Sequence, residues 1–166
     1  MYSMREPPIP ESAGMADNVN REKRILLDWV ILALTALFIA VSCCDCVQIT
    51  TQIHPQIAVE KPPEPVISME NNMTVLLLAM ALLQMLVTIL NGGMLNGLRC
   101  VVSAALVGVS GWEYLGRVVQ TTLRSAGGLS SVTCEYTVPG KISLVLPGIL
   151  LALHIAVLIY RKSVTK

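Results

Sequence analysis

Four groups of residues in this chain have types and spacings suited to chemistry: its cysteines, one acid–base pair, one histidine in an apolar run, and a set of regularly spaced small residues. Cys43, Cys44 and Cys46 cluster at the end of an apolar block, and Cys134 lies far downstream in a polar stretch. Thiols outside the cytoplasm meet an oxidising compartment, so a disulfide is one reading. Cys46, the outermost of the three, is then the expected partner of Cys134. The competing reading keeps the cluster as membrane-buried or acylated juxtamembrane thiols and leaves Cys134 free. The cysteine count is 5, an odd number, so at least one thiol is unpaired within a single chain in either case. Zinc would need a second cysteine pair or more nearby histidine than His54, so no metal is expected. Cys100 directly follows Arg99, a juxtamembrane position open to S-palmitoylation or to an ordinary helix-end cysteine.

Glu113 and Arg117 stand four residues apart, so on a helix they share a face and can neutralise each other. Ionisable groups inside a span are costly and point to function by default. Near the interface and already paired, these two read first as an anchor for their helix, and second as part of an ion or substrate path. His154 lies about 18 Å from the start of its apolar block. A neutral histidine bonded to a neighbouring helix accounts for it. A proton relay would need a carboxylate at equal depth, and Asp28, closer to the interface, is the nearest candidate. Ala104 and Gly108, and Gly148, Ala152 and Ala156, recur every four residues. Small residues at that spacing let helices approach closely, within one chain or between chains. Asn72-Met73-Thr74 matches the N-glycosylation pattern, but it abuts an apolar block where a glycan has little room.

These residues must be positioned by membrane-spanning helices. The chain has 166 residues, 54% of them hydrophobic and 14% charged, with mean hydropathy +0.65. A soluble domain has roughly a quarter of its residues charged. Here the apolar residues sit in blocks with nearly all charges between them, as a bilayer demands. The pattern predicts an all-α membrane protein: a four-transmembrane-helix bundle with helices at about 25–47, 73–90, 99–119 and 142–160. Residues 1–24, with Pro7, Pro8 and Pro10 and no apolar period, read as a largely disordered cytoplasmic tail, and 161–166 as a short second one. The first block has a rival reading as a secretory signal, with Ala40-Val41-Ser42 as its cleavage site, although its lead-in is long for one.

The blocks are not equivalent. Blocks one, two and four are long enough on length alone. Cys100 to Trp112 gives only 13 uncharged residues, a length that also fits a re-entrant segment. It spans if Glu113 and Arg117, about 21 and 27 Å from Arg99 along a helix, lie near the far headgroups. Asn91-Gly92-Gly93 and Asn96-Gly97 predict a tight hairpin between the second and third helices. Between the first and second helices, Val47, Ile49, Ile53, Ile57 and Val59 alternate, and Pro62, Pro63 and Pro65 end any strand there. Ser130–Val138 alternates as well, so the two longer connections are expected to form a small β cap.

The side holding both termini and the hairpin carries eight Lys or Arg, against four in the two longer connections. This bias places the termini in the cytoplasm of the plasma membrane or another secretory-pathway membrane. The layout resembles the broad set of small tetraspan membrane proteins. It carries neither the claudin loop signature nor the Cys-Cys-Gly of a tetraspanin loop. No nucleophile–base constellation, phosphate loop or cofactor motif is present, so neither an enzyme nor a cofactor is expected. Net charge is +1 with 4% aromatics, which gives nucleic acid no platform. The expected partners are the lipid bilayer and other integral membrane proteins or a second copy. The expected role is an accessory or scaffold subunit; the alternative is an oligomeric channel or small transporter with Glu113, Arg117 or His154 near its path.

Overall fold

Apolar runs without charges leave the backbone one way to satisfy its polar groups in lipid, the helix. In the computed structural model, which describes residues 11–53, 63–90, 95–126 and 130–164, the order is α1 (Glu11–Ser42), β1 (Asp45–Ile53), β2 (Val66–Asn71), α2 (Val75–Ile89), α3 (Leu95–Ala126), β3 (Ser130–Tyr136) and α4 (Val138–Val164). The protein is mostly helical. Among the described residues three helices are long and apolar enough to cross a membrane, within Ile25–Ser42, Asn96–Ser125 and Val138–Tyr160.

The lengths invert the expected ranking of the blocks. α2 has 15 residues, about 22 Å at helical rise, short of a ~30 Å hydrocarbon core. Its start is fixed by Thr74, whose hydroxyl accepts from the Leu77 N–H at 3.3 Å. α3, the block expected to be weakest, runs for 32 residues. It continues past Glu113 and Arg117 because protein braces its far end. The Ser125 hydroxyl accepts from the Val132 N–H at 2.9 Å and donates to the Val132 carbonyl at 3.1 Å.

The helix boundaries also shift elsewhere. α1 begins at Glu11, so residues 11–24 are helical rather than a disordered tail; residues 1–10 lie outside the described residues. Ala, Met, Glu, Arg and Lys favour helix, and lengthening a helix that already exists needs no new nucleus. α1 ends at Ser42, not near Val47, because Asp45, Cys46 and Val47 are taken up by β1. α4 begins at Val138, capped by Thr137, whose hydroxyl accepts from the Gly140 N–H at 3.4 Å. It runs to Val164, through most of the expected tail. Of the predicted hairpin, residues 91–94 lie outside the described residues, and Asn96-Gly97 falls in the first turn of α3.

All four helices feed one core. Ile31 and Phe38 come from α1, Leu77 and Ala81 from α2, Leu106 from α3, and Leu146, Leu150 and Val157 from α4. Around that core α1 meets α4, α4 meets α3, α3 meets α2, and α2 closes on α1 along the sparsest seam.

The cap is a three-stranded antiparallel sheet of order β2-β1-β3. Ile49 of β1 faces Ser68 of β2 and Cys134 of β3. β1 and β3 fall within the two segments expected from alternation, and Ile57 and Val59 of the first lie outside the described residues. β2 was not expected, because the prolines preceding it end a strand; the chain starts a new one immediately after Pro65, where Val66-Ile67 favours strand. It lies at the sheet edge, the place where nearby proline is tolerated.

Candidate functional site

Three polar constructions organise the bundle. The deepest is His154, buried in α4. Its Nδ1 donates to the Leu150 carbonyl at 2.7 Å, with Ser103 Oγ of α3 at 3.1 Å. Its Nε2 therefore accepts, and the Gln84 amide of α2 donates to it at 2.8 Å. A buried polar side chain in lipid needs such partners. This is the interhelical histidine the sequence suggested, and it joins α2, α3 and α4. Asp28 is bonded elsewhere and is not part of the cluster.

At the end of α2, Arg99 of α3 is buried despite its charge. Its guanidinium donates to the Val87 carbonyl at 3.2 Å and the Thr88 carbonyl at 2.7 Å, and to Asp28 Oδ1 of α1 at 2.8 Å. The last four carbonyls of any helix lack intrahelical partners. Arg99 supplies donors to two of them while neutralising a carboxylate on a third helix. The sequence marked Arg99 only as a basic residue for orientation. An arginine directly after a Gly/Asn hairpin, with an acid near the start of another span, was the available signal.

The third construction joins the helices to the sheet. Arg117 does not pair with Glu113 as expected. It reaches β2 instead, donating to Glu70 Oε2 at 3.3 Å and to the Asn71 carbonyl at 2.9 Å. Spacing alone allows the i,i+4 pair, but β2 offers a carboxylate and a terminal carbonyl together, and guanidinium has donors for both. Glu113 lines a polar recess of about 290 Å³ with Glu70, Trp112 and Arg117. Beside it the rings of Tyr114 and Tyr136 lie 5.2 Å apart. Burial pushes the Tyr136 hydroxyl up to about 12.

The start of α4 is stitched to the end of α1. The buried Asn72 donates from its backbone to the Ser42 carbonyl at 3.0 Å and from its amide to Ser143 Oγ at 3.3 Å. That amide is thus enclosed by protein. The Thr137 N–H donates to the Cys46 carbonyl at 3.0 Å. A Cβ on Gly140 would collide with that same carbonyl and touch the Tyr136 ring, so the close crossing of β1 over α4 requires glycine.

The expected Cys46–Cys134 disulfide is absent, and both thiols are free. Cys134 faces Ile49, whereas Cys46 lies beside Thr137. The two are offset by three strand positions, roughly 10 Å, beyond the reach of a disulfide. An odd offset also puts them on opposite faces. The Cys46 thiol donates back toward the Val41 carbonyl at 3.2 Å. Burial pushes the Cys46 and Cys134 thiols above their ordinary range. Among the described residues no group of three or more His, Cys, Asp or Glu is arranged to hold a metal ion. Cys100 is half-buried in the second turn of α3.

The small residues expected at helix contacts point outward. Ala104, Gly108, Gly148, Ala152 and Ala156 are all exposed on the bundle surface, and the space where a Cβ would stand on Gly108 or Gly148 is open. The bundle core is made by larger residues, Leu106, Leu146 and Leu150 among them. Comparison with known proteins assigns no kinship: no family model, curated protein or solved structure matches the chain.

Proposed function

We propose that this is a non-enzymatic, four-crossing membrane protein with both termini in the cytoplasm, acting as an accessory or scaffold subunit for other membrane proteins. The observation that carries the reading is the outer edge of β2. All six of its residues are exposed, with Val66 60%, Ile67 57% and Met69 50% exposed, and among the described residues only β1 pairs with it. A sheet edge with unpaired N–H and C=O groups and apolar side chains invites pairing unless it is blunted. Adding a partner's extended segment to such an edge is a recurrent mode of recognition.

Two further features support the reading. Trp112, Leu115, Val119 and Leu123 form an exposed apolar stripe on α3. Leu123 lies about 36 Å from Arg99 along the helix, past the far edge of a ~30 Å core, so lipid alone does not account for the whole stripe. The outward small residues on α3 and α4 offer close approach to a partner's helices. For α2 to make the fourth crossing, its 15 helical residues need Met73, Thr74 and Leu90 at the boundaries and local thinning of the bilayer.

The channel reading has less behind it. His154 is enclosed by protein partners and Arg117 is engaged by β2, so a path would have to form between copies. The test is purification from native membranes in mild detergent. The account expects a stoichiometric companion, lost when Ile67→Lys and Met69→Lys blunt the edge. Recovery of the protein alone at full yield argues against it.

A further inference from the structure

Beside the Arg117 tie, β2 and α3 enclose a recess of about 290 Å³ lined by Glu70, Trp112, Glu113, Gly116, Arg117 and Gln120. Trp112, Gly116 and Gln120 follow one another at intervals of four, so they form one row along α3. The glycine makes a notch in that row: a Cβ there would meet nothing within 4 Å. Its two larger neighbours stand at either end, about 12 Å apart. The volume is at the small end of ligand sites, a size for a headgroup rather than a whole lipid.

The recess carries an uncompensated negative charge. Arg117 commits both terminal nitrogens, one to Glu70 Oε2 and one to the Asn71 carbonyl. Glu113 is half-buried and makes no hydrogen bond or ion pair with any described residue. One guanidinium against two carboxylates leaves the site net negative, so its complement is a cation. A hard metal ion needs several oxygen ligands, and Glu70 is already held by Arg117. Trp112 offers ring surface instead, being 77% exposed. An aromatic face is the usual recognition surface for quaternary ammonium, a cation that makes no hydrogen bonds and asks for none.

We infer that the recess binds a quaternary ammonium group, the trimethylammonium of a choline headgroup, over the Trp112 ring and against the Glu113 carboxylate. The open space above Gly116 receives the methyl groups. The lipid as source rests on the reading that α3 crosses the bilayer. Trp112 and Gln120 then lie about 20 and 32 Å from Arg99 along the helix, astride the far edge of a ~30 Å core, where headgroups stand.

The test follows Trp112 emission in the full chain. The chain has 2 tryptophans, and Trp29→Phe leaves Trp112 alone. In dodecylmaltoside micelles, tetramethylammonium chloride should shift the emission saturably, while sodium and calcium chloride at matched ionic strength should not. Glu113→Gln should weaken the midpoint about fivefold, the upper range for a partly exposed charge pair. Gly116→Leu, which fills the notch, should abolish the shift. Both variants should keep the parent's unfolding midpoint in SDS, because Glu113 gives up no partner and a side chain at residue 116 meets no obstacle. An equal shift with sodium or calcium overturns the inference, and so does an unchanged midpoint in either variant. A second arm compares nanodiscs of phosphatidylcholine and phosphatidylglycerol. Tetramethylammonium should titrate Trp112 in phosphatidylglycerol discs and have no further effect in phosphatidylcholine discs, where the recess is already filled. Equal titration in both discs overturns the lipid as source and counts against the crossing by α3; the micelle titration decides the cation site by itself.

Discussion

Replacing Arg99 with alanine removes donors from two α2 carbonyls and the counter-ion of Asp28 in one step. Breaking a buried ion pair from one side costs about 3–5 kcal/mol, most of it from the charge left behind. Asp28 retains 13% side-chain exposure, so water at that end relieves part of the penalty, and the lower part of the range, about 3 kcal/mol, is expected. Asp28→Asn keeps an acceptor facing Arg99 and should cost less, about 1–2 kcal/mol by the ordinary value of a hydrogen bond to a charged group. The double variant should then be less destabilised than the two singles added together, with a coupling of about 1.5 kcal/mol or more. Arg99→Lys should fall between, because an ammonium cannot fork across two carbonyls and a carboxylate. The assay is unfolding of the purified protein in mixed dodecylmaltoside–SDS micelles, followed by circular dichroism. A loss below about 1 kcal/mol for Arg99→Ala, in the range of an exposed pair, would refute the reasoning.

Four further outcomes are expected. Gly140→Ala should destabilise by about 1–3 kcal/mol, the range for overpacking, because the obstructing atom is a backbone carbonyl; the same SDS unfolding measures it. Cys46 and Cys134 should react with maleimide more slowly than Cys43 and Cys44 at pH 8 and equally after SDS, as judged by peptide mass spectrometry, since burial disfavours their thiolates. A folded state that holds these protons more tightly keeps its full stability below pH about 9 and loses it as pH rises further; Tyr136 extends that loss through the window from 10 to about 12. Melting temperature should therefore fall from pH 9 upward, and a flat profile would contradict the assignment. Finally, tags at residues 1 and 166 should be protected in sealed right-side-out vesicles, and exposure of one end alone would reduce the crossings to three.

Blockwise apolarity identified all four helices, because lipid imposes helix on any charge-free run. It misjudged their ends, because those are set by tertiary partners. Arg117 was legible as a far-end charge, but its partner Glu70 was not, since spacing in sequence advertises Glu113 and only folding brings β2 alongside. The Cys46–Cys134 pairing failed for a related reason. The strands were legible, but their register was not, and a shift of three positions separates the thiols. β2 itself was masked by the prolines before it. His154 was readable because a lone polar residue in an apolar helix has few options. Arg99 was half-readable: its position was clear, but the converging carbonyls and Asp28 were not.

The central claim is that the β2 edge receives a partner. The most direct measurement places a photocrosslinking amino acid at Ile67 or Met69, with Thr133 of β3 as control, and irradiates intact native membranes. The account predicts one discrete adduct of fixed mass from the β2 positions, absent from Thr133 and lost when the edge is blunted by lysine at the other β2 position. Equal adducts from β2 and β3, or only adducts to lipid and detergent-sized species from Ile67 and Met69, would contradict it.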